Sequence, residues 1–326
     1  MCTAVFRSAC SRWFGRNLDV TGSYGEQVVI TPRYYPIKLR HLPEIKEHYA
    51  IIGMAVVSGN FPLYFDGTNE KGLSVAGLAF KDSCMYHDIV SGKENTASFE
   101  FILRVLATCK NIEEVTELIK NMNITKDAFS AEMPPEPLHF LVADKSGAIA
   151  VEPMAGGVFV HMNRFGVLTN NPPFPMQLSN MNKYASLSPI YKEGDFARKT
   201  GCIEYSTAMG SIGLPGDLTS ESRFVRACFV KENIMTDNTE MSELSGFFHI
   251  LSSVAQPKGC NILKNGNAEY TLYSSCCNTD KGIYYYKTYD NSRINAVALR
   301  KENLDSSLLC CFPKKQRGEK PTNYNS

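Results

Sequence analysis

The order of hydrophobic and polar positions divides the chain into blocks typical of strands and blocks with the period of a helix. Runs rich in β-branched and aromatic residues, bounded by turn residues, predict a strand in residues 26–35 and two or three strands in residues 49–80. The stretch "DGTNEKG" at residues 66–72 is rich in Asp, Gly and Asn, and it predicts a turn between strands of the second run. The first quarter of the chain is therefore predicted to be mainly sheet.

Apolar residues at intervals of three and four positions then predict amphipathic helices. Asn95 and Thr96 precede the first of these runs and are its candidate N-cap. Between the two helical blocks, residues 138–154 read as a hairpin that turns at Asp144–Gly147, and the last third of the chain returns to strands. The predicted helices are residues 95–109, 111–122, 222–236 and 240–255.

Strands and helices thus come in blocks rather than in strict β-α-β alternation. This order predicts an α+β fold of mostly antiparallel sheets with helices on the outer faces, a helix–sheet–sheet–helix sandwich. We expect residues 1–311 to form a single domain, because no break in composition divides them. Residues 312–326 are polar with little to bury, and we expect this tail to fray.

The charge balance of the chain excludes one class of partner. Its 34 Lys and Arg residues nearly cancel its 33 Asp and Glu residues, so the basic footprint of a nucleic-acid binder is absent from the sequence. The first residues lack the apolar run of a signal peptide, and the longest apolar stretch, residues 50–57, is too short for a membrane span. We therefore expect a cytoplasmic protein that does not insert into a membrane.

Eleven cysteines are present, and the count is odd. None forms a CxxC motif, and neither adjacent pair has a histidine at zinc-ligand spacing, so the sequence predicts no metal site and no need for a cofactor. Without an export signal, thiols stay reduced, and most of them behave as small buried hydrophobes. Position alone makes Cys2 different.

Cys2 stands directly behind the initiator methionine. Because initiator methionine is generally trimmed before a small residue, Cys2 would carry a free α-amino group beside its own thiol. Such an amine has an unperturbed pKa of about 7.7–8.0 and can act as a general base, directly or through a water. Arg16, if it folds back on Cys2, would favour the thiolate, and Asp19 would orient the amine. A structural Cys2 beside a surface ion pair is the alternative that these residues alone leave open.

Eight motifs follow one another along most of the chain: "MCTAV", "FGRNLDV", "YGEQVVITPR", "PLYFDGTNEKGLSVAGL", "PLHFLVADKSG", "GVLTNNPPF", "LPGDLTSESRFVRA" and "YSSCCNTDKGIYYYKTYDN". A chain with these motifs in this order, from residue 1 to about residue 291, resembles the choloylglycine hydrolases. That family of N-terminal-nucleophile amidases contains bile salt hydrolases and penicillin V acylases.

The resemblance implies an αββα fold and hydrolysis of a carboxamide by Cys2. The family's catalytic Arg and Asp match Arg16 and Asp19 in "FGRNLDV". Its oxyanion Asn matches Asn170, whose side-chain N–H would donate to the tetrahedral intermediate. Its second catalytic Arg matches Arg223, which would add positive potential near the thiolate.

Ala79 in "AGLAF" departs from the family pattern, because bile salt hydrolases usually carry Asn at this position and penicillin V acylases tend to carry Tyr. The backbone N–H of Ala79 can still serve the oxyanion hole, so the change affects the substrate class more than the reaction. Val20 stands where penicillin V acylases often have Trp, and an aliphatic residue suits a steroid face. We therefore expect conjugated bile salts as substrates, with Val20 and Phe61 in the binding pocket.

Other functions fit parts of the same sequence. The chain can be a penicillin V acylase or another N-acyl amide hydrolase of the family. A papain-like enzyme needs a Cys–His pair, but none of the six histidines lies in a signature around a cysteine. A bile-salt-binding protein that has lost catalysis is favoured only by Ala79. The stretch "LPGDLTSESRF" resembles the segment through which family members form tetramers, so we expect a homo-oligomer.

Overall fold

Two large antiparallel sheets stacked face to face form the centre of the protein. A computed structural model describes residues 1–190, 195–203 and 206–315, except for the side chains of residues 195–197. The first sheet has six strands, whose numbers follow the order of the chain. From one edge of the sheet to the other they are β12 (Val167–Leu168), β1 (Cys2–Ser8), β2 (Arg12–Val20), β13 (Tyr270–Asn278), β14 (Ile283–Thr288) and β15 (Asn291–Ala298).

The second sheet has eight strands and faces the first. In spatial order they are β11 (Gly157–Met162), β10 (Gly147–Met154), β9 (Leu138–Asp144), β6 (Ser74–Ala79), β5 (Phe61–Asn69), β4 (Ile51–Ser58), β3 (Gln27–Thr31) and β16 (Cys310–Pro313). The predicted hairpin turn at residues 144–147 and the three strands within residues 49–80 are confirmed. The predicted turn at 66–72 is partly wrong, because Asp66–Asn69 still belongs to β5.

Helices cover the outer faces of both sheets. The α-helices of the described residues are α1 (Phe101–Thr108), α2 (Ile112–Asn121), α3 (Phe174–Met181), α4 (Asp195–Thr200), α5 (Ser220–Asn233) and α6 (Glu240–Ser252). Side chains of Asn111, Thr219 and Thr239 accept backbone N–H bonds and so begin α2, α5 and α6. No helix within the described ranges is long and apolar enough to cross a membrane.

The apolar clusters define four layers. One cluster joins the inner faces of both sheets and continues to α5 and α6 on the far side of the six-stranded sheet. A second cluster lies between the eight-stranded sheet and helices α1 and α2. The predicted α+β sandwich of order αββα is therefore confirmed. The β1–β2 hairpin lies inside it with both faces covered, and seven of the nine residues of β2 are buried.

The predicted cap at Asn95 and Thr96 is wrong. Both residues lie in β7 (Glu94–Ala97), which pairs in parallel with β8 (Met122–Thr125), and α1 begins only at Phe101. The Asn95 side chain binds the backbone of Val90 and accepts a hydrogen bond from Asn123, so its polar groups serve the loop and the neighbouring strand. Local side-chain hydrogen bonds of this kind compete with capping.

The predicted boundary of the polar tail lies too early. Phe312 and Pro313 belong to β16 and pair with Val28 and Gln27 of β3, so sheet pairing continues past residue 311. The buried Lys314 ammonium contacts the buried Glu26 carboxylate beyond that point. The rest of the predicted tail, residues 316–326, lies outside the described residues.

Candidate active site

Cys2 is the first residue of β1 and lies inside the sandwich, with only 4% of its surface exposed. It pairs with Leu18 of β2, and this register brings Arg16 and Asp19 of β2 to the same end of the hairpin. The Asp19 N–H donates to the Met1 carbonyl at 3.1 Å, which adds one more rung to the ladder. The hairpin thus gathers the three residues that the sequence singled out near the amino end.

Arg16 carries a buried positive charge that bridges the two sheets. Its Nη1 donates to the carbonyl oxygens of Phe65 at 2.9 Å and Gly77 at 2.6 Å. Phe65 lies just before Asp66 and Gly77 just after Ala76, and Asp66 and Ala76 form the last pair of the β5–β6 ladder at this end. The guanidinium therefore fills the gap where the β5–β6 ladder opens.

The surroundings of Arg16 keep it charged. Burial alone would lower the pKa of Arg16, but nearby negative groups reverse this effect and the pKa is raised. Those groups, in decreasing order of effect, are Cys2, Tyr273, Asp66 and Asp19. Within the described structure, Nη2 of Arg16 is buried without a hydrogen-bond partner. An unsatisfied buried donor costs about 1–3 kcal/mol, so this N–H is suited to an anionic acceptor.

Asn170 and Arg223 hold the backbone of Cys2 from the other side. The Cys2 N–H donates to Asn170 Oδ1 at 2.9 Å, and Arg223 Nη1 donates to the Cys2 carbonyl at 2.6 Å. Arg223 Nη2 donates to the same Asn170 oxygen at 2.7 Å, which closes a triangle of hydrogen bonds. Burial lowers the pKa of Arg223, and the charges of Asp19 and Cys2 oppose this effect.

The start of α5 supports this triangle. Arg223 lies in the first turn of the helix, and the Ser220 hydroxyl accepts the backbone N–H of Asn170 at 2.8 Å. The Thr169 hydroxyl donates to the Ser220 carbonyl at 3.0 Å. The cap at Thr219 therefore fixes the helix end that holds both Asn170 and Arg223. The sequence motif "SRF" identified Arg223, whereas the role of Ser220 was missed.

Ala79 ends β6 and pairs with Leu138 of β9. The next residue, Phe80, donates its N–H to the Pro137 carbonyl at 2.8 Å. Because hydrogen-bonded and non-hydrogen-bonded pairs alternate, the N–H and C=O of Ala79 are directed away from β9, toward the open side of the β5–β6 ladder. Asn170 Nδ2 donates to the Ala79 carbonyl at 2.8 Å, so the two predicted oxyanion residues contact each other.

Asp19 is buried, and its carboxylate accepts hydrogen bonds from Thr271 Oγ1 at 2.6 Å and from Gln256 Nε2 at 3.1 Å. Burial raises the pKa of Asp19, and the attraction of the Arg223 guanidinium opposes the rise. Sequence reasoning missed both partners. Thr271 reaches Asp19 only through the pairing of β13 with β2, so no motif that contains Asp19 also contains Thr271.

Two further residues stand at the rim of the site. The Met1 amino group donates to the Asp19 carbonyl at 2.9 Å and contacts the Glu269 carboxylate. Tyr24 is mostly exposed, and its pKa is raised first by partial burial and then by the nearby acidic groups of Glu136, Cys2 and Glu269. Neither Glu269 nor Tyr24 was predicted from the sequence.

The two predicted pocket residues have different positions. Val20 directly follows Asp19 at the end of β2 and packs on the cluster between the sheets. Phe61 lies at the start of β5 and packs against Phe99 and Phe129, with ring centroids 5.7 Å and 5.9 Å away. It belongs to the cluster on the outer side of the eight-stranded sheet. The described contacts therefore bring Val20 to the Cys2 site, whereas those of Phe61 lead elsewhere.

The four layers, in the order αββα, have the fold of the N-terminal-nucleophile hydrolases. In this chain a buried cysteine stands at the head of the first hairpin, and Arg223 binds its carbonyl oxygen. The choloylglycine hydrolase family of linear amide C–N hydrolases matches residues 2–312. The chain belongs to this family.

Individual relatives agree with that membership. The bile salt hydrolase/transferase of Lactiplantibacillus plantarum is 45% identical over 319 residues, which are 98% of each chain. The structure of a variant of the conjugated bile acid hydrolase from Clostridium perfringens superposes with a TM-score of 0.90 at 34% identity and covers 99% of both chains. Penicillin V acylase from Agrobacterium tumefaciens shares the fold, with a TM-score of 0.74 at 18% identity over 98% of this chain and 94% of the other.

Proposed function

We propose that this enzyme hydrolyses conjugated bile salts at the amide bond to glycine or taurine, with Cys2 as its N-terminal nucleophile. The observation that carries the proposal is the triangle of hydrogen bonds that Asn170 and Arg223 form around Cys2. A structural cysteine in a strand would not need two buried polar side chains on its own backbone. The names of the relatives at 45% and 36% identity, both bile salt hydrolase/transferases, support the substrate class.

Loss of Met1 would convert the Cys2 N–H into an α-amine at the same place. Asn170 Oδ1 would then accept one N–H of that amine and leave its lone pair directed elsewhere. The amine takes the proton of the Cys2 thiol, directly or through a water. The resulting thiolate is stabilised by Arg16, whose unpartnered Nη2 supplies a donor that a sulfur anion can accept.

The thiolate attacks the amide carbonyl to form a tetrahedral intermediate. Its oxyanion accepts the Ala79 N–H and the second amide hydrogen of Asn170, the first being donated to the Ala79 carbonyl. The amine of Cys2 then transfers its proton to the departing nitrogen, and the C–N bond breaks to leave a thioester on Cys2. The same amine activates a water, which hydrolyses the thioester and releases the bile acid.

We also propose that the enzyme is cytoplasmic and forms a homo-oligomer. Three isoleucines in the segment between α3 and α5 support self-association, because each exposes most of its side chain. They are Ile190, Ile203 and Ile212, at 62%, 88% and 66% exposure. We expect Ile203→Lys to lower the mass measured by light scattering, whereas Met235→Lys, at an exposed site outside the segment, leaves it unchanged.

The catalytic assignment is tested by amine release from glycocholate, taurocholate and penicillin V in parallel. Cys2→Ala should abolish release from the bile salts and retain the fold by circular dichroism. Cys10→Ser is the matched control, because Cys10 lies in the turn of the same hairpin and is exposed. Activity of Cys2→Ala within a few-fold of the wild type contradicts the mechanism, and release from penicillin V alone contradicts the substrate class.

A further inference from the structure

A fully buried histidine–glutamate pair lies beneath the segments that carry Ala79 and Asn170. His139 on β9 and Glu152 on β10 are both inaccessible to solvent, and His139 Nδ1 lies 3.1 Å from Glu152 Oε1. The proposed mechanism does not use either residue. Buried ionisable groups are rare unless they are paired, so this pair needs a structural or functional reason.

The imidazole ring of His139 contacts one neighbour of each predicted oxyanion residue. His139 Nε2 lies 2.9 Å from the carbonyl oxygen of Thr169, which precedes Asn170. Its ring stacks on Phe80, which follows Ala79, with 4.2 Å between centroids and 8° between planes. The ring therefore sets the spacing between the two backbone segments whose Asn170 amide and Ala79 carbonyl are in contact.

The hydrogen-bond partners fix where the protons of His139 lie. The Thr169 carbonyl can only accept, so Nε2 carries a hydrogen and donates it. Both oxygens of Glu152 accept the N–H of Phe174, at 2.9 Å and 3.1 Å, at the start of α3 where a negative charge is favoured. With Glu152 as a carboxylate at this position, Nδ1 of His139 donates to it as well. A second histidine, His161, has its Nε2 3.6 Å from Glu152 Oε2 and is 27% exposed.

We propose that His139 is a positioning residue, held by Glu152 as a doubly protonated imidazole that fixes Asn170 relative to Ala79 and Cys2. With both ring nitrogens engaged, His139 is unavailable as a base for Cys2, which removes it as the partner of a papain-like pair. The kinetic part of this inference rests on the proposed amide hydrolysis, whereas the protonation state of the ring does not.

Three variants separate positioning from simple stability. His139→Phe keeps a ring on Phe80 and loses the donor to Thr169, and misplacement of catalytic groups by about 1 Å can cost roughly 100-fold in rate. We expect kcat per folded enzyme to fall about 30- to 100-fold in this variant, with KM changed less than about threefold. His139→Gln can still donate to Thr169 and should recover most of the loss. His161→Gln is the control and should be close to the wild type.

Nuclear magnetic resonance of protein labelled with ¹⁵N-histidine gives a second readout that does not depend on turnover. The His139 signals are assigned by their loss in His139→Gln. We expect both ring nitrogens to be protonated in the wild type, and only Nε2 in Glu152→Gln, whose amide can donate to Nδ1.

Two results would overturn the inference. One is an equal loss of kcat in His139→Gln and His139→Phe, or no loss in either. The other is a wild-type ring in which either nitrogen, Nδ1 or Nε2, lacks its proton. If His139→Phe does not fold, the resonance data decide. Protons on both ring nitrogens of the wild type, with only Nε2 protonated in Glu152→Gln, support the inference, and any other pattern overturns it. If the wild type cleaves no conjugated bile salt, the proposed function fails while the resonance test of His139 stands.

Discussion

Arg16 and Arg223 stand on opposite sides of Cys2 and are both fully buried, yet their surroundings differ. Arg223 uses each of its three nitrogens as a donor, to Leu218, to Cys2 and to Asn170. Arg16 donates to main-chain carbonyls of the opposite sheet and retains one nitrogen without a partner in the described structure. Their pKa values also differ: burial lowers the pKa of Arg223, whereas the same effect at Arg16 is outweighed by nearby acidic groups, Cys2 first among them, and its pKa is raised.

This difference separates two tasks that a buried arginine can perform. A guanidinium whose three nitrogens all donate hydrogen bonds fixes geometry, because a displacement breaks at least one of these bonds. A guanidinium with an unpartnered donor can stabilise a negative group that forms during the reaction. We therefore assign backbone positioning to Arg223 and stabilisation of the Cys2 thiolate to Arg16.

The largest effect is expected when the charge beside the thiolate is removed. Arg16→Met should lower kcat for a conjugated bile salt about 10³-fold, comparable with the loss of a strong donor at an active site. It also removes a positive charge near the buried Asp66 carboxyl, so the free energy of unfolding should fall as well. Arg16→Lys keeps the charge and should retain more activity than Arg16→Met. Equal activity of the two variants would contradict the assignment.

A smaller kinetic effect is expected at Arg223. Arg223→Gln removes the bridge between Cys2 and Asn170 and should lower kcat about 10²-fold, because misplaced groups lose effective molarity. Arg226→Gln is the matched control on the same helix, where the arginine binds carbonyls at the helix ends and not Cys2. Steady-state kinetics with folded fractions from circular dichroism distinguish the two. A loss in Arg226→Gln as large as that in Arg223→Gln would argue against a positioning role.

A still smaller loss of kcat is expected when the hydrogen bond from Thr271 to Asp19 is removed. Thr271→Val is nearly isosteric and removes the donor to the Asp19 carboxylate, and hydrogen bonds to charged groups contribute about 1.5–3 kcal/mol. We expect kcat to fall about tenfold, since the carboxylate loses its fixed orientation. Thr279→Val, in the turn after β13, provides the comparison. Wild-type kcat in Thr271→Val would show that Asp19 needs no such support.

The pH dependence of stability tests the burial of Asp19 independently of turnover. Its pKa in the folded protein lies above the ordinary value of 3.8 because of burial. The folded state therefore holds this proton more tightly than the unfolded state, and the contribution of Asp19 is favourable at low pH and is lost as pH rises through the folded pKa. The stability of the wild type minus that of Asp19→Asn should decrease from pH 4 to pH 7 in urea unfolding. A difference that increases over this range would contradict the raised pKa.

The smallest effect is expected at Ala79. Only its backbone groups face the site in the proposed mechanism, so Ala79→Gly should change kcat less than about threefold, within the usual range for a substitution that keeps the donor. A loss beyond tenfold would mean that the methyl group itself contacts substrate. Amine release from glycocholate and taurocholate measures both cases.

The sequence was informative where chemistry and pairing coincide. Cys2, Arg16 and Asp19 are close along the chain, and a single hairpin brings them together, so their proximity could be predicted from the motif. Asn170 and Arg223 were recognised through family motifs. Thr271, Gln256 and Glu269 could not be found in this way, because they reach the site only through the pairing of β13 with β2 and the loops beside it. Pocket residues were harder to predict because their partners are distant in the sequence. Phe61, for example, packs against Phe99 and Phe129 rather than beside Cys2.

The central claim is that the sulfur and the α-amine of Cys2 form the catalytic unit. Its most direct test is mass analysis of the amino-terminal peptide after the enzyme is quenched with acid during turnover of glycocholate. We predict a peptide that begins at Cys2, without Met1, and carries the cholyl group as a thioester. An active enzyme that retains Met1, or that carries the cholyl group on any other residue, would contradict the account.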